Sequence, residues 1–202
     1  MQDEKRKERM EPQLQITSTD ALLLVDVQND FCPGGALAVP EGDQIIEPIH
    51  TIIDRFPLVV ASQDWHPPHH CSFRSAGGEW PTHCVAGTVG ADFPPALRRS
   101  SIDLEVKKGH QPDREAYSAF EGEPDLAELL RLQKVQRLFI AGLATDYCVR
   151  ATVLDARKKG FEVVVLTDVV RGVDVQPGDS AKALQEMAAA GAVLATTKDL
   201  AG

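Results

Sequence analysis

Apolar and polar positions alternate along this chain with two periods, and together they predict a succession of strands and helices. Ala21 to Val27, reading A-L-L-L-V-D-V, is a short and nearly continuous apolar run, the pattern of a strand buried on both faces. Ile45, Ile49, Ile52, Ile53 and Phe56 recur at helical spacing, and Leu58 to Ala61 is the next strand. From Asp64 to Arg99 no period is visible, and His, Pro and Gly are frequent. That stretch is too long for an ordinary connection, which points to a functional loop. Ile102 to Val106 predicts a third strand, and Leu126, Leu129 and Leu130 mark a helix after Pro124. Arg137 to Leu143 predicts a fourth strand, followed by a helix from near Tyr147 to Lys159 that stops at Gly160. Phe161 to Leu166 is a fifth strand, Ala181 to Ala190 a helix ended by Gly191, and Val193 to Thr196 a last short strand.

Strands that alternate with helices predict an α/β fold: a doubly wound, mostly parallel six-stranded sheet with helices on both faces. No internal repeat or linker interrupts it, so residues 19–202 read as a single domain behind a charged, flexible N-terminal tail over residues 1–18. Sheets of this kind bind ligands beyond the carboxyl ends of their strands. Asp26 falls at the end of the first strand, Asp64 and His66 after the second, and Lys108 after the third. Cys148 follows the fourth strand where a helix begins, and Asp168 closes the fifth. Residues far apart in sequence and capable of chemistry are thereby expected on one rim.

Composition narrows the classes of function. A formal net charge of -9 argues against a nucleic-acid partner, because phosphate binding needs clustered Lys and Arg. No apolar run approaches the length of a membrane span. Met1 to Arg9 carry both charge signs without an apolar core, unlike a secretory signal, and Met10 is an alternative start. Four cysteines, Cys32, Cys71, Cys84 and Cys148, in a chain read as lacking such a signal imply free thiols and a cytoplasmic location.

Among these thiols Cys148 stands out, in G-L-A-T-D-Y-C-V-R, between an apolar strand and a helix. A helix N-terminus favours the thiolate and offers N–H groups to an oxyanion. A lone cysteine is more commonly a packing residue, and Cys32, Cys71 and Cys84 are read that way. A thiol nucleophile needs a base, and a leaving amine an acid. Asp26, at the end of a buried strand, is a candidate, although a local turn cap would also explain an Asp there. Lys108 is its candidate partner; strand alternation sends Lys107 and Lys108 to opposite sides, so only one of them can face the crevice. Asp64, His66, His70 and His83 form D-x-H-x3-H-x12-H within the long loop, a donor set suited to zinc, iron, manganese or a similar divalent ion. Phe31 and Trp80 are near these groups in sequence and are candidate pocket walls.

The segments V-D-V-Q-N-D-F-C-P-G-G, D-W-H-P-P-H-H-C-S-F, W-P-T-H-C-V-A-G-T-V-G-A-D-F, K-G, A-Y-S-A-F-E-G and A-T-D-Y-C-V-R-A-T resemble the nicotinamidases, also called pyrazinamidases, of the isochorismatase-like cysteine hydrolase superfamily. The similarity spans about Ala21 to Leu200, and H-C-V-x-G-T together with D-x-H separates nicotinamidases from metal-free relatives. The resemblance implies an isochorismatase-like, Rossmann-like three-layer fold and the hydrolysis of nicotinamide, and of pyrazinamide, through a cysteine thioester in NAD salvage. It implies a triad at Asp26, Lys108 and Cys148, and a divalent metal, zinc before iron or manganese, on Asp64, His66 and His83 with His70 as a further ligand. It also implies a cis peptide before Ala144, an oxyanion hole from the N–H groups of Ala144 and Cys148, and substrate contacts from Phe31, Trp80, Ala144 and Tyr117. Nicotinamide is then the small-molecule partner, with no nucleic acid or membrane, and homo-oligomerisation stays open. Two stretches depart from the pattern: Gly109 to Glu115, and the tail before Thr19. The rival readings are a hydrolase of another small amide or of isochorismate, and a metal-binding protein without catalysis.

Overall fold

The computed structural model describes residues 13–201. Its six strands are β1 (Asp20–Val25), β2 (Val59–Asp64), β3 (Leu104–Lys108), β4 (Arg137–Leu143), β5 (Glu162–Arg171) and β6 (Val193–Ala195). Four α-helices accompany them: α1 (Ile46–Ile52), α2 (Leu126–Leu132), α3 (Arg150–Lys158) and α4 (Asp179–Ala189). All adjacent strands pair in parallel, in the order β3-β2-β1-β4-β5-β6, so the sheet is parallel throughout. β1 is buried along its whole length, as its unbroken apolar run requires.

Side-chain alternation divides the core in two. Leu22 and Leu24 face one side with α1 (Ile46, Ile49, Ile52) and Phe93 and Leu97 of the long loop. Ala21, Leu23 and Val25 face the other, with Leu126 and Leu130 of α2, Val153 of α3 and Met187 of α4. Helices therefore cover both faces, three on one and one on the other, where the long loop completes the cover. No helix is long and apolar enough to cross a membrane among the described residues.

Several boundaries differ from the sequence pattern. β1 stops at Val25 because Asp26 adopts a left-handed backbone (φ 48) and leaves the sheet. β5 runs on to Arg171, beyond the apolar run ending at Leu166, after a shift in its pairing with β4. The helix expected from Tyr147 begins with a wide π-helical turn over Thr145–Val149 and becomes α-helical only at Arg150. Of the stretch read as a flexible tail, residues 1–12 lie outside the described residues. Its last part is docked: Leu14 bridges to Leu200 and, with Ile16, packs on the core, so the folded body begins before residue 19.

The strand order locates the site. Chain direction across the sheet reverses between β1, which continues towards β2 and β3, and β4, which continues towards β5 and β6. At such a switch point the loops leaving the two strands part in opposite directions and open a crevice. Here those loops begin with Asp26 after β1 and Ala144 after β4.

Candidate active site

Three buried groups meet in that crevice. Lys108, at the end of β3, has no exposed surface, and its Nζ lies 2.9 Å from Asp26 Oδ2 and 3.4 Å from Cys148 Sγ. The same Nζ donates to Asp64 Oδ1 and, at 3.2 Å, to the Ala116 carbonyl. Register explains the meeting with Asp64, since Asp64 and Lys108 are directly paired across β2 and β3. Lys107 points the other way and sets its Nζ 3.6 Å from the centre of the Trp65 ring. Asp26, fully buried, accepts a 2.7 Å hydrogen bond from Ser62 on Oδ1, while Oδ2 has no aligned hydrogen-bond donor. Carboxylate oxygens of Asp26 and Asp64 and the sulfur of Cys148 all lie within 4.8 Å of one another.

Burial and charge set the protonation of the cluster. Burial pushes the Cys148 thiol well above its ordinary value, and the Lys108 ammonium only partly offsets this. This corrects the expectation of a thiolate stabilised by a helix N-terminus: the sulfur sits inside a π-helical turn, not ahead of it, and is almost wholly desolvated. Burial also raises the Asp26 carboxyl, against the pull of Lys108, which makes Asp26 a stronger base than an ordinary carboxylate. For Asp64 burial acts in the same direction, but Lys108 and His66 outweigh it and hold the carboxyl well below its usual range. Burial would depress Lys108, yet Asp26 and Asp64 keep its ammonium charged far above the ordinary range. The resting cluster is therefore a neutral thiol beside a desolvated base, pinned by a permanent cation.

A second set of donors adjoins the first. One ligand atom from each of Asp64, His66 and His83 lies within 4.8 Å of the other two. His66 Nδ1 is 2.9 Å from the Gly109 carbonyl and His83 Nδ1 is 2.7 Å from the Pro81 carbonyl. Each Nδ1 is thereby engaged by backbone, which leaves Nε2 to face the other donors; that of His66 is 3.6 Å from Asp64 Oδ2. Two imidazoles and one carboxylate fit a divalent ion such as zinc. Gln28 supports this arrangement from below: its amide accepts from Asp64 N (2.8 Å) and donates to the Asp64 carbonyl (2.9 Å).

His70, expected as a further ligand, is not brought to that cluster. It stacks on His66 with ring centres 4.1 Å apart, but its Nδ1 is 2.7 Å from Ser72 Oγ and its Nε2 is 3.0 Å from the Arg114 carbonyl. Both nitrogens are thus occupied within the protein. Asp168 also leaves the expected rim, because its carboxylate accepts from Thr197 N and ties β5 to the C-terminal turn.

A pocket of about 470 Å³, open mouth included, connects the two sets. Phe31, Trp80, Tyr117, Ala144 and Tyr147 form its walls, with Cys148, Asp64, His66 and His83 on its floor. Trp80 donates to the Tyr117 hydroxyl at 3.1 Å and meets Tyr147 edge-on at 5.0 Å, which holds the indole in place. Phe31 lies 5.7 Å from the His83 ring. The peptide between Leu143 and Ala144 is cis, as the resemblance implies.

Gly109 makes the His66 position feasible. It has a left-handed backbone (φ 68), and a Cβ there would come within 2.5 Å of the His66 ring. Gly109→Ala is expected to cost about 1–2 kcal/mol from the backbone alone. Displacing His66 adds a loss of divalent-ion affinity. Chemical denaturation and metal analysis of the purified variant measure the two effects, and unchanged metal affinity would show that His66 does not need this space.

The description "Isochorismatase domain" matches residues 20–199. A nicotinamidase of Escherichia coli is 46% identical over 203 residues, covering 89% of this chain and 95% of that protein. The structure of an L. infantum protein in complex with nicotinate superposes with a TM-score of 0.88 at 38% identity, over 93% of this chain and 98% of that one. The pyrazinamidase of Pyrococcus horikoshii in complex with zinc superposes with a TM-score of 0.80 at 49% identity, over 88% of this chain and 99% of that one.

Proposed function

The chain belongs to the isochorismatase family, and from that premise we propose that it is an amidase that hydrolyses nicotinamide to nicotinate and ammonia through a thioester on Cys148. One observation carries the reading: a buried Asp26–Lys108–Cys148 cluster reaches, through Cys148, the aromatic pocket that the Asp64–His66–His83 donor set also lines. A nicotinamidase relative and a structural neighbour bound to nicotinate support the same substrate class.

The residues divide the work as follows. The substrate ring enters between Phe31 and Trp80, with Tyr117 steadying the indole. Asp64, His66 and His83 would hold a divalent ion, zinc first by donor type, which would supply a Lewis acid to the pyridine nitrogen. Asp26 takes the Cys148 proton as the sulfur pair attacks the carboxamide carbon. The N–H groups of Ala144 and Cys148 receive the oxyanion. Asp26 then returns its proton to the departing nitrogen, and ammonia leaves. A water deprotonated by Asp26 cleaves the thioester and releases nicotinate, which serves NAD salvage. Lys108 holds Asp26 and Asp64 apart as anions and stabilises negative charge near the sulfur. All four cysteines are free thiols, which supports a reducing, cytoplasmic setting.

Ammonia release from nicotinamide is the direct test, and a clean metal-loaded protein that releases none sinks the reading. Pyrazinamide, which keeps both the carboxamide and a matching ring nitrogen, is expected to be hydrolysed as well. Benzamide lacks the ring nitrogen, so its kcat/KM is expected to fall at least about 100-fold. Equal hydrolysis of benzamide and nicotinamide would remove the ring-nitrogen anchor from the account.

A further inference from the structure

We propose that Ser62 is a positioning residue for the reaction: its hydroxyl fixes Asp26 so that one carboxylate oxygen, Oδ2, carries the proton through the catalytic cycle. The inference rests on the amidase reading above and adds a residue to it.

Ser62 lies in the middle of β2, on the same face as Val60 and Asp64, and has no exposed surface. Its neighbours in the sheet are apolar: Val106 is paired with it on β3, and Val60 precedes it on the same face. A hydroxyl there costs free energy unless it is hydrogen-bonded. Its side-chain hydrogen bond goes to Asp26 Oδ1, at 2.7 Å. The backbone reinforces this contact, because Asp26 N donates to the Ser62 carbonyl at 3.2 Å. Asp26 is thereby held by the same residue through both main chain and side chain, although it has left the sheet with a left-handed backbone.

The consequence concerns the two oxygens of Asp26. Oδ1 is occupied by Ser62 and turned towards β2. Oδ2 lies 2.9 Å from Lys108 Nζ without an aligned hydrogen bond, and Lys108 Nζ is itself 3.4 Å from the sulfur. Oδ2 is thus the oxygen left to accept the thiol proton. During acylation the S–H bond breaks, its proton passes to Oδ2, and the sulfur pair forms the C–S bond. The carbonyl π pair moves onto oxygen. When the tetrahedral adduct collapses, the C–N bond breaks and the nitrogen takes the proton from Oδ2. A neutral carboxyl protonated on Oδ2 still presents Oδ1 as an acceptor. The Ser62 bond therefore survives both protonation states and keeps the acid facing the leaving nitrogen. Without it the carboxyl group can rotate about Cβ–Cγ and exchange its oxygens.

Ser62 is fully buried on the Oδ1 side of Asp26 and is not among the residues that line the pocket. That separates this role from a binding role. Ser62→Ala is expected to lower kcat for nicotinamide at least tenfold while KM stays within twofold and metal content is unchanged. Ser62→Thr, which keeps the hydroxyl, is expected to recover most of the kcat. A purely structural hydroxyl would lower the thermal midpoint of Ser62→Ala without this kcat loss in the folded protein. Should Ser62→Ala fail to fold, Ser62→Cys, similar in size but a feeble donor, is read in its place with the same expectation. Wild-type kcat in the variant lacking the hydroxyl overturns the proposal, as does Ser62→Thr being no more active than that variant. Failure of wild-type protein to release ammonia is a different result, and it sinks the amidase reading itself.

Discussion

Replacing Cys148 with alanine is expected to lower ammonia release from nicotinamide by at least about 10⁴-fold, because the variant loses the group that forms the covalent bond. The fold should tolerate the change. The substitution removes one sulfur atom, and Lys108 keeps its contacts with Asp26, Asp64 and the Ala116 carbonyl. Metal content should persist as well, since the Nε2 atoms of His66 and His83 are oriented by backbone carbonyls and owe nothing to the sulfur. Cys32→Ala is the matched control. Cys32 is also buried, and burial together with the Asp43 charge pushes its thiol up to about 11; unlike Cys148, it is not gathered with Lys108 and Asp26, so it has neither their base nor their cation to activate it. It lies outside the pocket that holds Cys148 and should be replaceable with full activity. Ammonia assays on the two purified variants, with circular dichroism and metal analysis alongside, decide the matter. Substantial turnover in Cys148→Ala removes the thioester from the mechanism.

Much of this arrangement is legible in the chain because local pattern and global fold agree. The apolar runs at 21–27 and 137–143 announce β1 and β4, and the chemistry collects where those two strands end. What the pattern conceals lies across the fold. Ser62 meets Asp26 over 36 positions and Gln28 meets Asp64 over the same separation, and neither a serine in a strand nor a glutamine in a loop carries a local sign of its partner. The V-D-V-Q-N-D-F motif contains Gln28, but nothing in the motif points to its partner. His70 illustrates the same limit from the other side. Spacing gives it the look of a ligand, but its Nε2 is 3.0 Å from a carbonyl 44 residues away, which only the fold can bring near. The state of Cys148 is hidden for a related reason. Helix position is readable, but the desolvation that raises the thiol depends on everything packed around it. The full length of β5 is hidden because the polar pair Thr167 and Asp168 interrupts its apolar run, while Asp168 is satisfied by Thr197 from a distant turn.

The two adjacent lysines offer the sharpest contrast in the molecule. Lys108→Ala is expected to lower kcat about 10³-fold or more, the combined scale of a lost electrostatic stabiliser and a misplaced base. Lys107→Ala should stay within about twofold of wild type. Its ammonium rests on the Trp65 ring, an interaction worth about 0.5–1 kcal/mol at such a site, and makes no contact with the cluster. The pairing of Lys107 with Glu123 runs through backbone atoms and survives the substitution. Lys108 is different in kind, since one buried ammonium serves two buried carboxylates, Asp26 and Asp64. Removing it leaves those charges uncompensated, at a cost of about 3–5 kcal/mol. Part of the loss in Lys108→Ala is therefore expected as a lower thermal midpoint. The isosteric Lys108→Met separates the effects, because it restores packing without charge: its midpoint should lie above that of Lys108→Ala while its kcat remains as low. The base and the donor set share this lysine through Asp64, so divalent-ion affinity should also differ from wild type in both Lys108 variants and not in Lys107→Ala. Steady-state kinetics, thermal melts and metal titration read the three quantities separately. Equal kinetic losses at positions 107 and 108 would mean that facing the crevice confers nothing, and Lys108 would lose its place beside Asp26 and Cys148.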